Sequence, residues 1–262
     1  MNQDDLRCMR RGKSLSTITA QDIELMQPYA RRGKSHHKAL LLLHGFSSSP
    51  AVFRNLLPHL NQYDAVIVPT LPGHADSLKA FSEVKAQDWL TAVEKECHAL
   101  CEEYAAVDVL GLSLGGLLAC HLSTQCPLNH LYLLAPALDL KLNISVILPL
   151  VECFKKLGFS NVRANAGNIY SEDHCEIAYR QLPLTTVFEL LTFVQEFSFS
   201  APPCPTDLFL GKYDEVVDSD KVAARFANEK QVKMHWLKHS AHILPLDGDL
   251  DQIVACLEKN NP

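Results

Sequence analysis

No stretch of the 262 residues is apolar for long. The longest runs, Ala39 to Leu43 and Val146 to Val151, fall far short of the roughly 20 residues a membrane-crossing helix needs, and Pro149 interrupts the second. Nor is there a surplus of positive charge. Lysine and arginine total 24 against 30 acidic residues, a net charge of −6, so nothing is available in excess to neutralise phosphates and nucleic acid is not an expected partner. The start of the chain has charges at Asp4, Asp5, Arg7, Arg10, Arg11 and Lys13 but no apolar centre of the kind a secretory signal requires. A C-x-x-C pair is absent from the nine cysteines, and Cys97 and Cys101 stand four apart in a helical pattern. Buried thiols in a reducing, cytoplasmic compartment are therefore expected, and a zinc site is not.

What is present is ordinary globular composition, 47 % hydrophobic and 21 % charged, in a length that suits one α/β domain. Ala39 to Leu43 reads as a strand buried on both faces. A helix is expected after it, since Val52, Phe53, Leu56, Leu57 and Leu60 share one helical face, and Ala65 to Val68 is the next strand, stopped by Pro69 and Pro72. Trp89, Val93, Cys97, Leu100 and Tyr104 make the buried stripe of a long helix. Strands at Val107 to Leu110 and Leu131 to Leu134 flank a small-residue helix starting at Leu114. Repetition of β-α-β units predicts a mainly parallel sheet with helices on both faces.

The alternation lapses between about Asp139 and Pro205. It resumes with Asp207 to Leu210, a helix over Ser219 to Ala227, the strand Val232 to Leu237 and a closing helix near Asp249 to Glu258. Residues 139–205 are too many for a structureless loop and contain two helix candidates, around Ile144 to Leu157 and Thr185 to Phe197. They are expected to form a helical cap on a core made of 1–138 and 206–262. In the second candidate, Val187, Leu190, Leu191, Val194 and Phe197 lie on one stripe, whereas Phe188 and Phe193 lie off it and are the candidates to meet substrate. Near the N-terminus, Arg10-Arg11-Gly12-Lys13-Ser14 recurs as Arg31-Arg32-Gly33-Lys34-Ser35. A phosphate-binding loop would need glycine where Arg7 and Pro28 stand, so solvated turns of an N-terminal hairpin are expected instead.

Chemistry concentrates at Gly111-Leu112-Ser113-Leu114-Gly115-Gly116, which follows a strand and opens a helix. That is the setting of a nucleophile elbow, in which a strained turn lifts the serine above the sheet and the helix N-terminus faces a developing oxyanion. A serine hydroxyl needs a base, and the base an orienting carboxylate. Asp214, in Gly211-Lys212-Tyr213-Asp214-Glu215, and His242, in Ser240-Ala241-His242, follow the last two strands. Asp139, Asp218 and Asp220 remain alternatives for the acid, and His235 and His239 for the base.

Taken with Leu43-His44-Gly45-Phe46, these segments resemble the α/β-hydrolase superfamily, and within it the small carboxylesterases and monoacylglycerol-lipase-like esterases, over residues 38 to 259. Two features depart from that pattern: Ala241 stands where the family usually has glycine, and the first 35 residues match nothing in it. The resemblance implies Ser113 as nucleophile, Asp214 as triad acid, His242 as general base, and the backbone amides of Phe46 and Leu114 as the oxyanion hole. It casts His44 as structural and His74 as bracing the site. His36 and His37 are adjacent and so face opposite ways in a strand; no metal and no cofactor are expected.

The expected reaction is hydrolysis of a small-molecule carboxylic ester with a short or medium acyl chain, a monoacylglycerol among the candidates. The same triad would also serve a thioesterase, lactonase, C–C hydrolase or acyltransferase. A ligand-binding module with little turnover is the contrasting reading, against which an intact triad argues. Peripheral contact of the cap with lipid is not expected, because the net charge gives no attraction to anionic lipids.

Overall fold

The computed structural model describes residues 2–261. At its N-terminal end, β1 (Leu6–Arg10) and β2 (Lys13–Thr17) form an antiparallel hairpin. Arg11 and Gly12 both take positive φ at its tip, 48° and 69°, as a tight hairpin turn requires. The first Arg-Arg-Gly-Lys is thus a hairpin turn. The second is not: after α1 (Ala20–Leu25), Arg31 and Arg32 end β3 (Tyr29–Arg32), which pairs antiparallel with β5 (Ala65–Val68) on the edge of the main sheet.

That sheet has seven strands. Its central strand is β6 (Ala106–Leu112), parallel to β4 (Lys38–Leu43), which is in turn parallel to β5. Beyond β6 come β7 (His130–Leu134), then β11 (Thr206–Gly211) and β12 (Val232–Leu237), all parallel. Every residue from Ala39 to Leu43 is buried because both faces are covered. Ala39, Leu41 and Leu43 join one apolar cluster with Val107, Leu131 and Leu208, while Leu40 and Leu42 join the other with Leu110, Tyr132 and Phe209.

Between β5 and β6 lie α2 (Leu78–Glu83) and α3 (Ala86–Glu103). The stripe Trp89, Val93, Cys97 and Leu100 is buried as its spacing predicts, and Tyr104 caps its end. The segment read as a helix over Val52 to Leu60 is instead two short 3-10 turns, Pro50–Phe53 and Leu57–His59, each with proline in its first turn. Pro58 lacks the N–H that a continuous α-helix would have used, which divides the segment although its apolar side chains still pack inward.

After β6, α4 (Leu114–Gln125) starts at the residue following Ser113. Within residues 139–205 the elements are α5 (Ile144–Lys156), β8 (Asn161–Arg163), β9 (Glu176–Tyr179), β10 (Gln181–Pro183) and α6 (Leu184–Glu196). The two helices pack together through Val151, Leu184 and Leu191, and α5 leaves Val146, Leu150 and Phe154 exposed on its outer face. The chain closes with α7 (Ser219–Arg225) and α8 (Leu250–Lys259). No helix is long and apolar enough to cross a membrane among the described residues.

One expectation about cysteine is corrected. Cys8 and Cys175 are joined in a disulfide, with Cα atoms 5.6 Å apart, because β1 pairs antiparallel with β9. The partners are 167 residues apart, so no spacing in the sequence announces the bond. A disulfide also sits poorly with the reducing surroundings that the cysteine pattern suggested.

Candidate active site

Four parallel strands deliver the site at their C-terminal ends. β6 runs straight into Ser113, whose backbone sits at φ 54° and ψ −113°, a strained conformation for a residue with a side chain. The turn closes because its neighbours are glycine. A Cβ at Gly111 would overlap the Gly115 carbonyl, and one at Gly115 would overlap the Leu43 carbonyl at the end of the adjacent strand.

Opposite the serine, β11 ends in the loop that holds Asp214, and β12 ends in the loop that holds His242. His242 Nε2 lies 2.9 Å from Ser113 Oγ, and Nδ1 lies 2.8 Å from Asp214 Oδ2. The other carboxylate oxygen accepts the amides of Val216 and Val217 at 2.7 and 2.8 Å. All three side chains are buried. Burial by itself favours a neutral Asp214, yet the charge and hydrogen bond of His242 and the two amides hold its pKa below the ordinary carboxylate value. Burial likewise opposes a charged His242, but Asp214, helped by Glu176, outweighs it and raises the imidazole pKa. An imidazole oriented in this way can take a proton from Ser113 and be stabilised as it becomes positive.

The alternatives for the acid and base are engaged elsewhere or face solvent. Asp139 pairs with Arg225, Asp218 caps α7 and Asp220 is exposed. His235 bonds Asp207, and His239 contacts Asp249. His44 is locked as a neutral ring: Nε2 accepts the Leu71 amide at 3.0 Å and Nδ1 donates to the Gly45 carbonyl at 2.9 Å. Complete burial brings its pKa down to about 4, which suits a structural part rather than a proton carrier. His74 stacks edge-on against it at 5.1 Å.

Gly45, Phe46 and Leu114 border the same cavity as Ser113 and His242. Leu114 is the first residue of α4, where an amide has no partner within its own helix. The cavity measures about 340 Å³ and is walled mainly by apolar side chains, among them Leu140, Ile147, Val187, Leu190 and Leu191. Phe188 and Phe193 do not line it, and the expectation for them is corrected. The stripe of α6 turns Val187, Leu190 and Leu191 to the cavity, which leaves Phe188 against α5 under the Lys155 ammonium at 4.2 Å and Phe193 against Phe197.

Sequence reasoning missed two residues from the 139–205 stretch. The Asn168 carbonyl accepts the amides of His242 and Ile243 at 2.9 and 3.1 Å, while its side-chain oxygen accepts the Glu215 amide at 2.9 Å. One asparagine therefore ties the His242 loop to the Asp214 loop. Glu176, on β9, puts a buried carboxyl in the cavity wall, where it accepts the Gly167 amide at 2.8 Å. Burial raises its pKa against the pull of that amide. Neither residue sits in a motif; only contact across the fold marks them.

The sequence model of the alpha/beta hydrolase family matches residues 40–255. The chain is similar to a thermostable monoacylglycerol lipase of Bacillus sp. (strain H-257), 24 % identical over 225 residues that cover 82 % of this chain and 86 % of that one. It is also similar to a carboxylesterase of Bacillus subtilis (strain 168), 22 % identical over 84 % of this chain and 90 % of the relative. Among solved structures, a chain reported with the metagenome-derived lipolytic enzymes LipS and LipT superposes with a TM-score of 0.79 at 23 % identity, covering 90 % of this chain and 98 % of that one. With a family match running from β4 into the last helix, the chain belongs to the alpha/beta hydrolase family.

Proposed function

We propose that the protein is a serine hydrolase of carboxylic esters, in which Ser113 is the nucleophile, His242 the general base and Asp214 the residue that orients it. The observation that carries this reading is the unbroken chain Ser113–His242–Asp214, with links of 2.9 and 2.8 Å, at the floor of an apolar cavity. Ser113 Oγ attacks the ester carbonyl carbon as its proton passes to His242 Nε2. The resulting oxyanion accepts hydrogen bonds from the Phe46 and Leu114 amides, each such donor being worth about 3 kcal/mol in the transition state. The bond to the alcohol breaks as His242 returns the proton to that oxygen, leaving an acyl-enzyme. Water, deprotonated by the same imidazole, then releases the acid and restores Ser113.

Substrate size follows from the cavity. About 340 Å³ lies at the lower end of the roughly 300–1,000 Å³ typical of small-molecule sites, which favours a short or medium acyl chain. The wall is not uniform: Asn165, Asn168 and Glu176 line it together with the leucines of α6. An amphipathic ester such as a monoacylglycerol suits that division, in line with the activity named for the Bacillus relative.

The deciding experiment is hydrolysis of p-nitrophenyl esters of increasing acyl length, and of monoacylglycerols, by the native protein and Ser113→Ala. Turnover that peaks at short or medium chains and disappears in the variant is the expected result. Silence across both series, or hydrolysis that survives in Ser113→Ala, overturns the reading.

A further inference from the structure

Away from the active site, three thiols meet where the far ends of α3 and α4 come together. The sulfurs of Cys97, Cys101 and Cys126 all lie within 4.8 Å of one another. Cys97 and Cys101 are one turn apart on α3, so their side chains share a face. Cys126 caps the C-terminal end of α4, twelve residues of helix and about 18 Å from Ser113 at that helix's head. Cys97 and Cys126 are buried, Cys101 is half-buried, and none of them is in a disulfide. Beside them stands the exposed ring of His98, whose Nδ1 is 3.8 Å from Cys126 Sγ.

We propose that this cluster is a binding site for a monovalent copper ion held by three sulfurs. Thiolates are the ligands that soft closed-shell cations select, and this donor set is sulfur alone. A cation at the centre of a sulfur triangle, about 2.3 Å from each, spaces the sulfurs about 4 Å apart, inside the limit observed here. Zinc asks for four ligands in a tetrahedron; the group bounded by 4.8 Å supplies three, and a fourth would have to come from His98, whose ring is exposed. As ion and sulfurs join, each thiol that becomes a ligand releases its proton to solvent, and the copper keeps its charge state throughout. His98, at the open side, stands where the Cys126 proton would leave. Because each thiol gives up a proton when it becomes a ligand, binding strengthens as pH rises.

A second group of metal-type donors, Asp207 with His235 and Cys256, does not share this character. There the carboxylate is already satisfied by the His130 and His235 imidazoles at 2.8 and 2.5 Å and by the Asn260 amide at 2.9 Å. The first group offers sulfur alone, and the hydrogen bonds among its thiols join weak donors to weak acceptors.

The test is an anaerobic titration of the full chain with Cu(I), presented by a chromophoric chelator as competitor. It is done in a Cys153→Ser background that removes the exposed thiol. One equivalent is expected to bind with sulfur-to-copper absorbance in the near ultraviolet and three sulfur neighbours by X-ray absorption. Cys101→Ser and Cys126→Ser should each weaken binding by more than about 100-fold, beyond the usual cost of losing an outer partner of a metal ligand. Ester hydrolysis should be unchanged in both, which separates this site from the proposed reaction. Because Cys101 is half-buried, its variant stands as the folded control should Cys126→Ser fail to fold. Copper binding that is equal in parent and Cys101→Ser overturns the proposal, as does tighter binding of Zn(II) than of Cu(I).

Discussion

The amide of Ser113 donates to the carbonyl of Leu134 at 3.0 Å, so the strained residue of the elbow is fastened to the end of the neighbouring strand. Its own carbonyl accepts the Ala137 amide, also at 3.0 Å, just past that strand. The strain at φ 54° is thus held by backbone contacts and does not depend on the hydroxyl. Ser113→Ala is accordingly expected to fold with a melting temperature close to that of the parent while kcat falls by about 10⁶-fold. Thermal unfolding and steady-state kinetics on one preparation check both halves.

As the proposed general base, His242 must be neutral to accept a proton, so kcat/KM is expected to fall as pH drops through its pKa, which lies above the ordinary imidazole value. In Asp214→Asn, burial acts on the ring without its main counterweight. The acidic limb should therefore move to lower pH, with kcat reduced about 10⁴-fold. Stability carries the opposite signs. The lowered Asp214 stabilises the fold at pH above its unfolded value and loses that contribution on acidification through its folded pKa. The raised His242 contributes fully below its unfolded value and loses that as pH rises through its folded one. pH–rate and pH–denaturation profiles of the two proteins supply the comparison.

Leu190 faces the cavity from α6 and is only partly enclosed by the core, so extra volume there projects into the space proposed for the acyl chain. Leu190→Phe is expected to shift the optimum in the ester series to shorter chains, with about a 10-fold loss of kcat/KM for the longest ester the parent accepts well. An unchanged chain-length profile would place the acyl group elsewhere.

Gly111→Ala tests the close approach behind Ser113. The added methyl meets the Gly115 backbone, which cannot yield without moving α4 off β6. A loss of about 3 kcal/mol or more is expected, read as a drop of about 6–12 °C in melting temperature or as failure to yield folded protein.

How much of this could be read from residues alone depends on how local the signal is. Ser113 announces itself within six residues, and the period of apolar side chains places α5 and α6 within one residue of their observed ends. The same period says which side of α6 is apolar but not which neighbour it faces, which is why it points Phe188 and Phe193 to a cavity that neither lines. Pro58 splits a segment whose apolar spacing still looks helical. The Cys8–Cys175 bond, the joining of Cys126 to Cys97 and Cys101, and the bridging by Asn168 all arise from pairing across long sequence separations, which periodicity does not encode. Glu176 belongs with them: one glutamate in an extended stretch reads as solvated until β9 is seen to turn it into the cavity.

The delivery of Ser113, Asp214 and His242 from β6, β11 and β12, with β7 between, makes Ser113, in its proposed role, a gauge of assembly. A chain whose last two strands have not docked owns the same hydroxyl but no base beside it. In a refolding sample, reaction with a serine-directed fluorophosphonate should therefore return only after far-ultraviolet circular dichroism has recovered, since the strand pairings involved are distant along the chain. The fraction labelled would count completed sheets molecule by molecule, a quantity that average spectroscopic signals do not separate.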